Sequence, residues 1–305
     1  MLQLCGLNPR MRRRIAVSLV IGCLSGAFCC FLMQRLHQDA ADFRWALHLA
    51  HGILARQNPY DTPFEQYPLT AGLFALPFVR LQPELAAGIF WGLSSALLAF
   101  GLTRHGYTRL LIFFAYPYWA GILTVQWSPI IAASAFFPLL LPLTMAKPQI
   151  GLPVFLTRLS LRGLIACIIV GLISLAVMPT WPALWLHQTG NYQHFIPLLV
   201  FPGFLLVLAL LRYRERDSWL LFLSALMPQR WFFDSFILWL IPQSRREIIW
   251  TIFFSWAAGL WRWYHIPRTF TEVGRITVIF LYLPMLAVVL LRKQPDLARD
   301  DPASA

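Results

Sequence analysis

The sequence predicts an all-α protein, a polytopic bundle of transmembrane helices, and three observations carry that prediction. The chain has 305 residues, 58% hydrophobic and only 12% charged, about half the charge of an average soluble domain; its mean hydropathy is +0.62. The apolar residues come in continuous blocks, not in the stripes of a soluble amphipathic helix. The arginines stand at the ends of those blocks, as in Arg12-Arg13-Arg14, Arg212 to Arg216, Arg245-Arg246 and Arg292-Lys293. A net charge of +12 could suggest nucleic acid, but this placement is the loop pattern of a membrane protein, so no nucleic-acid partner is expected.

Each block can be threaded in order. A spanning helix needs roughly 17–25 apolar residues, and several blocks sit at or just below that range. Arg10, Arg12, Arg13 and Arg14 place the N-terminus in the cytoplasm, and 15–33 crosses outward. Segment 34–66 sets Asp39, Asp42, Asp61 and Glu65 against Arg35, Arg44 and Arg56; without a positive excess it is placed outside. In the middle, 67–81, 85–102, 110–125, 130–146 and 148–156 are candidates. An odd number of them must cross, because Arg158 and Arg162 mark an inner loop. Segment 164–178 leads out to 180–195, which has no Lys or Arg, and 196–211 leads back. Segment 218–242 must go out and return as two half-spans meeting near Pro228 to Asp234, a break tolerated only beside protein or water. Segment 248–261 goes out and 276–291 returns. The loop between them carries Arg262, Arg268 and Arg275 and strains the charge rule. The expected organisation is a single transmembrane domain over 1–293 with an outer loop over 34–66, and a disordered cytoplasmic tail over 294–305. Cys5, Cys23, Cys29, Cys30 and Cys167 form no CxxC pair, and are read as free thiols.

A few polar residues stand out against this background. In the outer loop Phe43, Leu47, Ala50 and Leu54 recur at helical spacing, which predicts an amphipathic helix along the membrane surface. Asp39 and Asp42 lie on one side of its start. They are read either as caps or as a carboxylate pair in which one member has a raised pKa and serves as a base. Lys147, one of two lysines in the chain, interrupts an apolar region as Ala146-Lys-Pro-Gln149. A cation at membrane depth is costly, and a phosphate would be a natural partner; snorkelling to the headgroups is the plainer reading. Arg230 and Asp234 are spaced to pair with each other on a helix or to line a polar cavity. Gln126 and Trp127 mark another break. His48 and His51 have ligand-like spacing that a polar helix face explains equally well, so no metal site is assigned.

The order of these features resembles glycosyltransferase family 87, polyprenyl-phosphate-mannose-dependent mannosyltransferases of the GT-C fold. The family's outer-loop Asp and aromatic-rich helix look like Asp42-Phe43, its G-x-P-Y turn like Asn58-Pro59-Tyr60, and its Y-P-P start like Tyr67-Pro68, with Leu69 for the second proline. Its G-Q looks like Val125-Gln126, with Val for Gly. Its K-P-Q looks like Lys147-Pro148-Gln149, and its later S-P turn like Met227-Pro228, with Asp234 following.

The resemblance implies a GT-C bundle with short broken helices and an inverting transferase. It would use a polyprenyl-phosphate-sugar donor, a mannose donor in the family, and a lipid or envelope-glycan acceptor. It implies Asp42 as the catalytic base. Substrate would be bound by Asp39, Tyr60, Tyr67, Gln126, Lys147, Gln149, Arg230 and Asp234, with Lys147, helped by Arg230, meeting the phosphate charge. No metal and no cofactor are implied. The expected place is a multi-pass position in a bacterial inner membrane, among membrane lipids. The alternatives are a non-catalytic membrane scaffold or a lipid or solute transporter of the envelope.

Overall fold

The computed structural model describes residues 8–37, 40–62, 66–104, 106–190 and 192–292; Asp39, Glu65 and the tail 294–305 lie outside them. The described chain is helical, with no strand and one isolated antiparallel bridge, Phe195 to Gln229. The α-helices are α1 (Pro9–Leu36), α2 (Ala41–Ala55), α3 (Leu69–Ala75), α4 (Pro83–Leu102), α5 (Tyr116–Ile122), α6 (Ser128–Ser134), α7 (Pro148–Thr157), α8 (Leu161–Val177), α9 (Trp181–Thr189), α10 (Arg216–Leu226), α11 (Arg245–Tyr264), α12 (Phe270–Thr277) and α13 (Leu283–Leu291). Short 3-10 stretches join several of them, and a π-turn, Val278–Tyr282, fuses α12 to α13.

Among the described residues three helices are long and apolar enough to cross a membrane: α1, α4 and the continuous Phe270–Leu291. A fourth follows if α8 and α9, bent by 95° to each other, count as one span. Much of their outward surface is apolar. On α1, Leu24 is 67% exposed, and on α8, Leu172 is 60% exposed, which suits hydrocarbon better than water. α1 lies against α4 through two small-residue pairs. A Cβ on Gly26 would come within 2.7 Å of the Gly88 carbonyl oxygen, so backbone meets backbone there.

The middle differs from the sequence expectation. Of the five candidate segments, only α4 has spanning length. The others are cut into helices of seven to ten residues, because Pro77, Pro117, Pro129, Pro138, Pro142 and Pro148 remove backbone donors and start new turns. Segment 196–211 is a second correction: it forms 3-10 stretches at Pro197–Leu199 and Gly203–Arg212, not a crossing α-helix. Segment 218–242 breaks as expected, between α10 and the 3-10 stretch Phe232–Leu240. α11 covers the segment 248–261, but its charged ends keep it outside the set of apolar spans.

α2 is also corrected. Its buried residues are Phe43, Ala46, Leu49 and Ala50, while Leu54 is 58% exposed. The helix is pressed onto α3, where Gly72 leaves room for Leu49, and does not lie free on a surface. Phe43 stacks on Phe90 with ring centres 4.3 Å apart, and Phe90 meets Trp127 at 4.9 Å. This aromatic wedge fixes the start of α2 against the centre of the molecule.

The end of the bundle that carries the α1 N-terminus is tied by arginines. Arg14 donates to the Phe100 carbonyl oxygen, Arg109 to Leu240, and Arg212 to Leu290 and Arg292. Each cation meets carbonyl oxygens at or near a helix C-terminus. At the centre is buried Asp217, which accepts from Arg292 at 2.7 Å and from Gln243 at 2.9 Å. Arg158 stands 3.8 Å away.

Candidate active site

At the opposite end the short helices converge on Lys147. Pro148 forces the residue before it out of helical conformation. Lys147 is therefore a joint, with φ −143 and ψ 79, between the 3-10 stretch Pro138–Ala146 and α7. Its side chain is buried. The ammonium donates to Gln126 Oε1 at 2.7 Å and to Asp42 Oδ2 at 3.1 Å, and Asp234 Oδ1 lies 2.9 Å away. An ammonium has three hydrogens, and here an oxygen stands near each.

The three partners are held by different devices. The Asp42 backbone N–H donates to the Thr124 carbonyl at 3.1 Å, which pins the first turn of α2 to the Thr124-Val125-Gln126 turn. Asp42 caps nothing: the N-cap of α2 is Ala40, without a side-chain cap. The turn itself is strained, since Val125 has φ +52, a region that β-branched residues rarely occupy. Gln126 Nε2 bonds the Thr124 hydroxyl at 3.1 Å, which turns its oxygen toward Lys147. Asp234 sits in the first turn of Phe232–Leu240 and accepts the Arg230 backbone N–H at 3.0 Å. Of the two readings of Arg230 and Asp234, a side-chain pair is not formed, and both residues line one cavity instead; Asp234 is paired with Lys147.

The backbone of the 227–231 break is held from behind. Phe195 and Gln229 exchange both backbone hydrogen bonds at 2.8 Å. The Gln229 amide bonds Tyr282 and the Ser224 carbonyl, and accepts from Ser235 at 3.0 Å. The π-turn at 278–282 carries Tyr282 to this network, a use of π geometry common at functional sites.

The cluster floors a cavity of about 840 Å³. Asp42, Tyr67, Lys147, Gln149, Arg230 and Asp234 line it, with Tyr192, Trp231 and Arg262. Another wall comes from α5 and the residue after it, Trp119 and Leu123, and from α11, through Trp256, Leu260 and Trp263. Several of these are largely exposed, Leu260 at 57% and Trp263 at 86%, so the cavity is edged by aromatic and apolar side chains.

Exposure separates the two carboxylates. The Asp234 side chain is 0% exposed and that of Asp42 is 21% exposed, so a molecule in the cavity reaches Asp42. Burial pushes the Asp42 carboxyl up from its ordinary range; the Lys147 charge pulls it partly back, and the Asp234 charge pushes it up further. The result is a carboxylate more basic than one in water.

Of the residues expected at the site, Asp42, Tyr67, Gln126, Lys147, Gln149, Arg230 and Asp234 are brought together. Tyr60 is not. It is buried, donates its hydroxyl to the Tyr67 carbonyl at 3.1 Å, and props the loop that carries Tyr67. Sequence reasoning missed Tyr192 and the Trp231, Arg262 and Trp263 wall. The signal for Arg262 was present, as an arginine in a loop placed on the side that avoids them. Among the described residues no group of three or more His, Cys, Asp or Glu forms that could hold a metal ion. No family model, no curated protein and no solved structure matches this chain.

Proposed function

We propose that the protein is a multi-pass membrane glycosyltransferase of GT-C type. It would move a sugar from a polyprenyl-phosphate donor to a hydroxyl of a lipid or envelope-glycan acceptor. The observation that carries the reading is the pairing of buried Lys147 with Asp42 and Asp234 at the floor of a large cavity that also has an apolar, aromatic wall. A sugar hydroxyl needs a base beside it, and a prenyl chain needs hydrocarbon at the other end. The exposed apolar faces of α1 and α8 support placement in a bilayer, and the arginine-tied end supports a cytoplasmic location for the α1 N-terminus.

In this mechanism the acceptor oxygen attacks the anomeric carbon as Asp42 takes its proton. The bond from that carbon to the phosphate oxygen breaks, and the electron pair leaves with the polyprenyl phosphate. Attack opposite the leaving group inverts the configuration. Lys147 acts as a positioning residue: it holds Asp42 and Asp234 side by side and keeps Asp42 ionised. A lipid phosphate is its own leaving group, so no nucleotide loop is needed.

The test is transfer of radiolabelled sugar from a polyprenyl-phosphate-mannose donor in proteoliposomes, with membrane extract as acceptor. Asp42→Asn keeps the volume and should lower transfer by about 10²–10⁴-fold, the usual worth of a general base, with unchanged insertion. Full activity in that variant would sink the mechanism and move the scaffold reading ahead.

A further inference from the structure

The cavity has two poles of opposite charge, and this decides where an anion can sit. At the floor, two carboxylates surround one ammonium, a net charge of −1 when all three are ionised. For Lys147 to turn an N–H to a phosphate it would have to abandon Gln126 or a carboxylate, and Asp234 has no exposure through which water could replace it. A phosphate placed there would also meet Asp42 head-on.

Arg230 is the contrary case. Only its backbone N–H serves Asp234. Its guanidinium stands over two rings, 5.9 Å from the centre of Tyr192 and 5.4 Å from that of Phe270. Among the described residues no carboxylate lies within ion-pair distance of it, and its Nε is buried without a hydrogen-bond partner. A buried guanidinium N–H without an acceptor is costly, and the missing acceptor is what an anion supplies. Arg262 lines the same cavity; its guanidinium stands 5.8 Å from the Trp231 ring, and it gives one long bond, 3.4 Å, to the His265 carbonyl. The same α11 wall that carries Arg262 also carries Trp256, Leu260 and Trp263, all partly exposed.

We propose that Arg230, with Arg262, is the subsite for a phosphate carried on a hydrocarbon chain, and that Lys147 is not. The chain leaves along the α11 wall, and the group on the far side of the phosphate points to Asp42. This rests on the transferase reading for its purpose, but its test is binding alone, so the two can fail separately. An arginine suits the task because its planar fork meets phosphate oxygens two at a time.

The experiment is tryptophan-fluorescence titration of the purified protein in nanodiscs with farnesyl phosphate, farnesol and inorganic phosphate. Farnesyl phosphate should bind saturably and more tightly than either of the others. Arg230→Gln should weaken it by about tenfold or more, Arg230→Lys should recover part of the loss, and Arg262→Gln should have a smaller effect of the same sign. Asp42→Asn should bind as well as the native chain or better, since it removes a negative charge. Arg230→Gln binding within about twofold of native, or Asp42→Asn losing as much as Arg230→Gln, would overturn the assignment. Farnesol binding equally well would overturn the anion, and inorganic phosphate binding equally well would overturn the hydrocarbon chain. A protein that passes this titration but transfers no sugar keeps the subsite and loses the proposed function.

Discussion

Asp217 at one end of the bundle and the Asp42–Asp234 pair at the other are built from the same materials, carboxylates held by cations and an amide. Asp217 accepts from Arg292 and Gln243, with Arg158 beyond, and Arg292 also reaches Glu247 at 3.2 Å and the Ile241 carbonyl. The two carboxylates there, Asp217 and Glu247, are matched by Arg158 and Arg292, and the elements these join are helix ends. At the other end, two carboxylates share one ammonium, one of them is open to a cavity, and a nearby arginine has no carboxylate. A charge cluster is read as structural when its donors and acceptors close on one another. It is read as functional when the sum is left unbalanced and faces open volume.

The sharpest way to break this comparison is to remove the central charge at each end, Lys147 at one and Asp217 at the other. Lys147→Met keeps the length of the side chain and leaves Asp42 and Asp234 facing each other without compensation. Removing one partner of a buried pair costs about 3–5 kcal/mol, so the variant should unfold at clearly lower denaturant or temperature. The double variant Lys147→Met with Asp234→Asn should recover much of that loss. Recovery is the sign that the loss came from unpaired charge and not from lost packing; a double variant as unstable as the single one would show that Lys147 matters mainly for its volume.

The other end should respond more weakly. Asp217→Asn keeps an acceptor for Gln243 and leaves Arg292 with Glu247 and the Ile241 carbonyl. The expected cost is about 1–3 kcal/mol, the range for charged hydrogen bonds. Transfer per folded molecule should not change, because Asp217 lies at the far end of the bundle from the cavity. A variant with native stability and lost transfer would reverse the assignment of the two ends.

How much of this could be read from the sequence also differs between the ends. Lys147 was legible because a lysine in an apolar stretch has few innocent explanations, and Asp42 because it heads a polar loop. Arg230 and Asp234 were legible as a pair of charges at a proline break, but their partners were not. Helical spacing left open whether they bind each other or line a cavity; the chain is 3-10 and extended there, and they line the cavity while each turns to a different group. Asp217 and Arg292 are 75 positions apart, and nothing local marks either as more than a loop charge. The apolar blocks gave α1, α4 and α13. They failed at 196–211, because hydrophobicity reports burial or lipid contact and is silent on whether prolines 197 and 202 let a helix form.

The smallest expected effect tests the turn that joins Asp42 to Gln126. Val125 holds φ +52, where its branched Cβ crowds the backbone, at a cost of about 1–3 kcal/mol. The strain persists because the flanking residues are both committed: the Thr124 carbonyl accepts from Asp42, and Gln126 accepts from Lys147. Glycine has no Cβ and adopts this conformation freely. Val125 is fully buried, so Val125→Gly also gives up apolar contact, about 1.5–3 kcal/mol for its side chain. The two terms nearly cancel, and stability should move by less than about 1 kcal/mol in either direction. Val125→Ala keeps the strain of a Cβ at positive φ while losing most of the packing, and should be the less stable of the two. Denaturation of both variants in one detergent checks the order. An alanine variant as stable as the glycine variant would show that the left-handed turn is not what holds Gln126 against Lys147.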